Sequence, residues 1–209
     1  SVDQHKSAEH LSRTASALPP FDGATLVYLA QVSTDAAVLY GRRGSLPHQV
    51  DAIIATAEAA ERLGARVVVK LHPKESPHNP NPEPYFRQLT LEWLQADERF
   101  AAVRARLGER CIVDAENQLH TFDLIRQAQA CVTLNSQAGL EALALGREVV
   151  LCGRSFFGSL GFTHEAHSAE EVQAALAAIL RHGLRLNREG ESQRFLHIFL
   201  RHYCVEKSE

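Results

Sequence analysis

Three short segments of the chain carry side chains that can hold an anion or move a proton, and each adjoins an apolar run of strand character. They are Gln31-Val32-Ser33-Thr34-Asp35, Lys70-Leu71-His72-Pro73-Lys74, and Asn135-Ser136-Gln137-Ala138-Gly139-Leu140-Glu141. Ser136 stands where a helix N-cap belongs, so the backbone N–H groups of Gln137, Ala138 and Gly139 would point outward at the positive end of the helix dipole. Such an end attracts phosphate. The small residues Ala138 and Gly139 let it approach the backbone, and Ser136 adds a hydroxyl donor. A serine and a glycine at these places serve equally well to cap a helix and to pack it on a sheet. Neither a P-loop nor a G-x-G-x-x-G fingerprint is present.

In the second segment Pro73 stops the strand and restricts the residue before it, which aims His72 at the sheet edge. A histidine there can donate to a phosphate or a ribose, with Lys70 and Lys74 adding positive charge on either side. Asp35 is a loop carboxylate, placed either for catalysis or for an Asx turn. Metal chemistry has no recognisable motif. The 11 histidines and 4 cysteines form no H-E-x-x-H, paired-cysteine or two-histidine-one-carboxylate pattern, so no metal and no cofactor are expected. A G-x-S-x-G elbow is missing as well, which lowers a hydrolase reading.

The elements that must position these residues alternate between strand-like and helix-like runs. Strands are expected at 25–30, 66–71, 111–113, 131–134 and 148–152, and helices at 47–63, 85–107, 121–128, 137–145, 168–181 and 192–203. That alternation predicts an α/β fold, a Rossmann-like parallel sheet with helices on both faces. Ligands of such sheets bind beyond the carboxyl ends of the strands, where all three polar segments fall. Between 72 and 84 five prolines and two asparagines predict a long exposed loop, and 164–167 reads as a loop too.

With 209 residues, 45% hydrophobic and 22% charged, the chain has the composition of an ordinary soluble globule and not of a disordered, collagen-like or disulfide-stapled one. A net charge of -3 supplies no overall positive field for nucleic acid. No apolar stretch reaches the roughly 18 to 20 residues that span a bilayer, and residues 1–16 lack the apolar middle of a signal peptide. Cysteines without C-x-x-C spacing fit a reducing, cytoplasmic setting. Residues 1–20, ending in Pro19-Pro20, read as a linker or the tail of an upstream segment, and 21–209 as one Rossmann-like domain, a nucleotide-sugar-binding one by the resemblance that follows. The absence of methionine points to a piece of something longer.

The three polar segments, extended to Leu29-Ala30-Gln31-Val32-Ser33-Thr34-Asp35-Ala36-Ala37 and to Leu134 through Gly146, together resemble the bacterial capsule-polysaccharide synthesis and export family. The likeness continues through 149–153 to Phe156-Phe157-Gly158-Ser159-Leu160-Gly161-Phe162-Thr163. Where many members carry Trp-Gly, this chain has Leu160-Gly161. The family includes the β-Kdo glycosyltransferases, enzymes with two facing Rossmann-like domains, the GT-B arrangement. The resemblance therefore implies one half of a GT-B transferase, the donor-binding half, with an acceptor-binding domain preceding Ser1.

The implied reaction is transfer of 3-deoxy-D-manno-oct-2-ulosonic acid (Kdo) from CMP-β-Kdo to a glycan or lipid-linked acceptor, with retention of configuration, in capsule or other surface-polysaccharide synthesis. By this resemblance His72 holds the CMP phosphate, and Ser136 with Gln137, Ala138 and Gly139 cradles it. Lys70 or Lys74 meets the Kdo carboxylate, and Glu141 accepts the ribose hydroxyls. Asp35 is the candidate nucleophile, oriented by Gln31. A general base for the acceptor would come from the other domain, and docking onto a membrane export complex would keep the enzyme peripheral to the inner membrane. Two other classes fit the same residues: a UDP-sugar GT-B transferase or 2-epimerase, and a non-catalytic module that only holds a nucleotide sugar. A sialyltransferase ranks below Kdo transfer because of the 31–35 segment.

Overall fold

Six parallel strands in the order β3-β2-β1-β4-β5-β6 form the spine of the molecule, as seen in a computed structural model that describes residues 17–35, 38, 44–79, 89–187 and 190–202. They are β1 (Thr25–Leu29), β2 (Arg66–Lys70), β3 (Cys111–Asp114), β4 (Ala130–Thr133), β5 (Glu148–Leu151) and β6 (His164–Glu165). Strands β1, β2, β4 and β5 are buried along their whole length, which is why their middles read as continuous apolar runs rich in Val and Leu instead of alternating ones.

Alternate residues of these strands feed two cores. Leu26, Tyr28, Val67, Val69, Val132 and Val150 face α1 (Gln49–Leu63), α2 (Leu89–Ala96), α3 (Glu98–Leu107) and α6 (Ala169–His182). Val27, Leu29, Val68, Cys131, Val149 and Leu151 face α4 (Thr121–Gln127) and α5 (Gln137–Ala144), with Phe195 and Leu196 of α7 (Glu191–His202) packed against them. Each fully buried aliphatic side chain contributes about 1.5–3 kcal/mol of transfer free energy, so the two cores together set the frame on which the strand-end loops sit. The expected Rossmann-like α/β architecture is thus the observed one.

Local chemistry fixes the helix ends. The His48 ring Nδ1 accepts the Val50 N–H at 3.2 Å and caps α1, which leaves Pro47 outside the helix and not inside its first turn as expected. Gly64 closes α1 at φ 65°, a left-handed conformation suited to glycine. The single helix expected over 85–107 is two among the described residues. Asp97 adopts an extended backbone and accepts the Arg99 N–H at 2.9 Å, which ends α2 and starts α3. Ser168 caps α6 through the Glu171 N–H.

Residues 164–167, expected as a loop, contain strand β6, paired parallel to β5 with Val150 opposite His164. A two-residue strand of polar type leaves no periodicity to read. It is held by a buried contact, the His164 Nε2 on Glu148 Oε2 at 2.8 Å, while the same oxygen accepts the N–H groups of Leu186 and Asn187. The linker expected at 1–20 falls largely outside the described residues. Of its end, Pro19 accepts Arg66 Nη1 at 2.6 Å.

Candidate functional site

The chain runs from β1 outward to β2 and β3 and then returns to place β4 on the other side of β1. The loops after β1 and β4 therefore diverge and open a crevice at the carboxyl end of the sheet. Buried polar bonds stitch its floor. Thr133 Oγ1 donates to the Leu29 carbonyl at 2.9 Å and accepts the Ser136 N–H at 3.1 Å. Gln31 exchanges two bonds with Gln49, N–H to Oε1 at 3.1 Å and carbonyl from Nε2 at 2.9 Å, and its own Oε1 accepts the Asn135 N–H at 3.2 Å.

Above this floor lies an open cavity of about 810 Å³. Of the residues singled out in the sequence, Lys70, His72, Pro73, Ser136, Gln137, Ala138 and Glu141 line it, so two of the three segments meet in one place. Gln31 and Gly139 lie beneath or beside it, and Asp35 and Lys74 are exposed near His72 outside the lining. Among the described residues no group of three or more His, Cys, Asp and Glu side chains is arranged to hold a metal ion.

His72 begins a 3-10 turn, Pro73–Glu75, and its Nδ1 accepts the Lys74 N–H at 3.1 Å. An acceptor at Nδ1 puts the proton of the neutral ring on Nε2, so the free edge of the imidazole is a donor. Burial and the Lys74 charge hold the ring's pKa below its ordinary 6.5, against an opposing pull from the Asp35 carboxylate. The cavity therefore receives a neutral N–H donor.

Ser136 caps α5 through its Oγ, which accepts the Ala138 N–H at 3.3 Å, while its carbonyl accepts the Gly139 N–H at 2.9 Å. Two of the three N–H groups expected to face a ligand are thus already taken within the cap. Gln137 keeps its N–H, and Ser136 keeps its hydroxyl proton. Gly139 serves packing instead of close approach to a ligand, because a Cβ there would stand 3.0 Å from Thr133 Cγ2 and 3.1 Å from Phe157 Cζ. Glu141, one turn on, sits on the cavity wall, where burial raises its carboxyl above the usual range.

Lys70 is 3% exposed, and its ammonium donates to Asp114 Oδ2 at 2.6 Å, to the Leu119 carbonyl at 2.7 Å and to Asn117 Oδ1. Three acceptors use all three protons of an ammonium, which leaves none for a ligand carboxylate. Its job in this geometry is to pin the loop after β3. Asp114 completes that pin by accepting the Gln118 and Leu119 N–H groups at 2.8 and 3.1 Å.

The pinned loop and the start of α4 make a wall of the cavity that the sequence did not single out, with Asn117, His120, Phe122 and Asp123 among its residues. The His120 and Phe122 rings lie 5.8 Å apart, and Phe122 is 40% exposed. A His-x-Phe pair at the head of the helix that follows β3 was the available signal. Glu75, inside the stretch expected to be an exposed loop, is 1% exposed and bonds to Ser33 and Thr90. Nothing in a proline-rich run marks one carboxylate as buried.

The family model described as capsule polysaccharide biosynthesis protein matches residues 1–181. No curated protein matches the chain in sequence. Among solved structures, the chain is similar to the Thermosulfurimonas dismutans KpsC β-Kdo 2,7 transferase, at 20% identity and a TM-score of 0.47 over 86% of this chain and 52% of that one. It is also similar to the KpsC β-Kdo 2,4 transferase of the same organism, at 24% identity and 0.46 over 83% and 54%. A UDP-GlcNAc 2-epimerase from Neisseria meningitidis bound to UDP-GlcNAc matches at 10% identity and 0.47 over 95% and 47%. The chain thus spans about half the length of each of these structures. With 181 of its 209 residues matched, the chain belongs to the capsule polysaccharide biosynthesis protein family.

Proposed function

We propose that this chain is the donor-binding half of a GT-B glycosyltransferase that moves Kdo from CMP-β-Kdo to a glycan or lipid-linked acceptor with retention of configuration. One observation carries the reading most of the way. His72, with its Nε2–H, and Ser136 with the start of α5 line one open cavity at the β1/β4 switch point, which supports a phosphate between them. Family membership and the order of the three polar segments support it.

In this reading the phosphate of CMP lies between His72 and the Ser136–Gln137 end of α5, and the base rests against the His120 and Phe122 rings. Glu141 accepts the ribose hydroxyls. Lys70 is committed to Asp114, Asn117 and Leu119, so Lys74, exposed beside His72, is the ammonium assigned to the Kdo carboxylate. The Asp35 carboxylate attacks the anomeric carbon as the bond to the CMP phosphate breaks, giving a glycosyl ester and free CMP. The acceptor hydroxyl then displaces Asp35, and its proton passes to a base from the rest of the protein. Two inversions give net retention. Donors already aimed at the departing phosphate stabilise the charge that develops on it.

Among the described residues no helix is long and apolar enough to cross a membrane. A peripheral position on the cytoplasmic face of the inner membrane, beside an export complex and with the acceptor domain in the same protein, completes the proposal. Calorimetric titration with CMP and with UDP tests it. CMP should bind in preference, with His72→Ala and Ser136→Ala each weakening it about tenfold, the usual loss for a charge-assisted bond. Preference for UDP overturns the Kdo reading in favour of a UDP-sugar enzyme, and CMP binding indifferent to both substitutions overturns the site.

A further inference from the structure

The turn that carries Asp35 and the turn that carries His72 are fastened together by one buried carboxylate. Glu75 Oε1 accepts the Ser33 N–H at 2.9 Å, and Oε2 accepts the Thr90 N–H at 3.2 Å. Ser33 belongs to the tight turn closed by the Asp35 N–H on the Val32 carbonyl at 3.0 Å. Glu75 ends the 3-10 turn opened by His72, and its own N–H donates to the His72 carbonyl at 2.9 Å. A frame of uncharged groups surrounds the joint. Ser33 Oγ and Thr90 Oγ1 share a bond of 2.6 Å, and Gln49 Nε2 lies 2.7 Å from the first, 2.9 Å from the second and 2.9 Å from the Gln31 carbonyl. Gln49 and Thr90 are fully buried, and Ser33 is 2% exposed.

A carboxylate held only by N–H and O–H donors in a dry place is costly, and an apolar residue of the same size would fill the space at less cost. What a carboxylate does that an apolar residue cannot is accept from two backbone N–H groups at once, one on each side of a gap. Asp35 is exposed and lies in the turn that Ser33 anchors, with its N–H on the Val32 carbonyl and its carbonyl accepting the Val38 N–H, so the Ser33 anchor bears on its position. Reaction geometry is sensitive on this scale, since a misplacement of about 1 Å can cost on the order of a hundredfold in rate.

We propose that Glu75 is a positioning residue, clamped on Ser33 and Thr90 within a frame set by Gln49, which fixes the direction and distance of Asp35 from His72. The proposal rests on the reading of Asp35 as nucleophile and His72 as phosphate donor. Glutamine at 75 keeps the shape but turns an N–H toward one of the two backbone donors, so Glu75→Gln opens one half of the clamp while leaving packing in place.

The test is the titration of the His72 ring followed by NMR. Two charged groups act on that ring, Lys74 from its own turn and Asp35 from the turn after β1. Asp35→Asn should lower the His72 midpoint in the otherwise unchanged protein, and should lower it by less than half as much in the Glu75→Gln background. A merely structural carboxylate would not move this coupling. In the full-length enzyme Glu75→Gln should lower kcat by about tenfold or more with the donor KM changed by less than about threefold, the pattern of lost transition-state geometry. If Glu75→Gln does not fold, Thr90→Val, which removes one hydroxyl from the frame and keeps its shape, should show the same loss of coupling in reduced degree. An Asp35→Asn shift of equal size in both backgrounds overturns the clamp. Because the titration needs no donor, coupling that is lost on schedule in a chain that binds no CMP overturns the transferase reading and not the clamp.

Discussion

The side-chain oxygen of Gln31 accepts the backbone N–H of Asn135 at 3.2 Å, joining residues 104 apart in sequence across the ends of β1 and β4. The bond spans the point where the strand order reverses, so it sets the width of the crevice floor and the approach of Ser136 to it. Gln31→Ala leaves the Asn135 N–H, in a residue 8% exposed, without that acceptor. The expected cost is about 1–3 kcal/mol of stability, read by urea unfolding. CMP affinity should fall with it, because Ser136 is the next residue. Unchanged stability would mean that water replaces the glutamine without penalty.

Lys70→Met strands the Asp114 carboxylate, which is 6% exposed, among backbone N–H groups. Removal of one partner of a buried pair costs about 3–5 kcal/mol, whereas Lys70→Met with Asp114→Leu removes both charges and should recover part of the loss. Recovery will be incomplete, since Asp114 also holds the Gln118 and Leu119 N–H groups. Chemical denaturation of the two single variants and the double variant checks this. A loss in the double variant equal to the sum of the two single losses would show that the two residues are not energetically coupled.

His72 gives the protein a defined response to acid. Burial and Lys74 hold the ring below its ordinary 6.5, so as pH falls through 6.5 the unfolded chain takes up a proton before the native one does. The stability this ring contributes is complete above 6.5 and is lost as pH falls toward its native value. A phosphate at Nε2 favours the charged ring and raises that value, so CMP should bind more tightly at pH 6 than at pH 8. Calorimetry at the two pH values, with His72→Gln as the control that abolishes the difference, decides the matter.

Gly139→Ala sets helix propensity against packing. Alanine gains about 1 kcal/mol in a helix, but its Cβ would press on Thr133 Cγ2 and Phe157 Cζ at 3.0 and 3.1 Å. Neither neighbour can retreat. Phe157 is fully buried, and rotation of Thr133 would break its bonds to Leu29 and Ser136. Net destabilisation of about 1–3 kcal/mol is expected from overpacking. A rise in melting temperature would contradict it.

The sheet was readable because fully buried parallel strands leave continuous apolar runs such as Val67-Val68-Val69, and the Ser136 cap because a polar-then-small pattern follows such a run. The direction of His72 followed from Pro73. What could not be read depends on partners remote in sequence. Lys70 looks like a ligand-facing cation until Asp114, Asn117 and Leu119 arrive from the next loop to occupy it. Glu75 looks solvent-bound among prolines until Ser33 and Thr90 close on it. Local pattern likewise extended one helix through Asp97, although aspartate is a strong N-cap, because the residues on both sides are good helix formers. At Lys70 and Glu75 a distant contact decided the outcome, whereas at Asp97 a local cap on the Arg99 N–H did.

Lys70 and Glu75 stand five positions apart on either side of the His72-Pro73 step and reach in opposite directions, one to the loop after β3 and the other to the turn after β1. They share no hydrogen-bond partner among the described residues. The cavity wall of residues 117–123 and the turn that bears Asp35 are therefore anchored independently to one six-residue cassette. Under the proposed assignment of the base to this wall and of the nucleophile to Asp35, an exchange of the 116–123 loop for one of different shape should alter which nucleotide is accepted without disturbing the carboxylate, so donor choice and chemistry would be free to diverge separately on this scaffold.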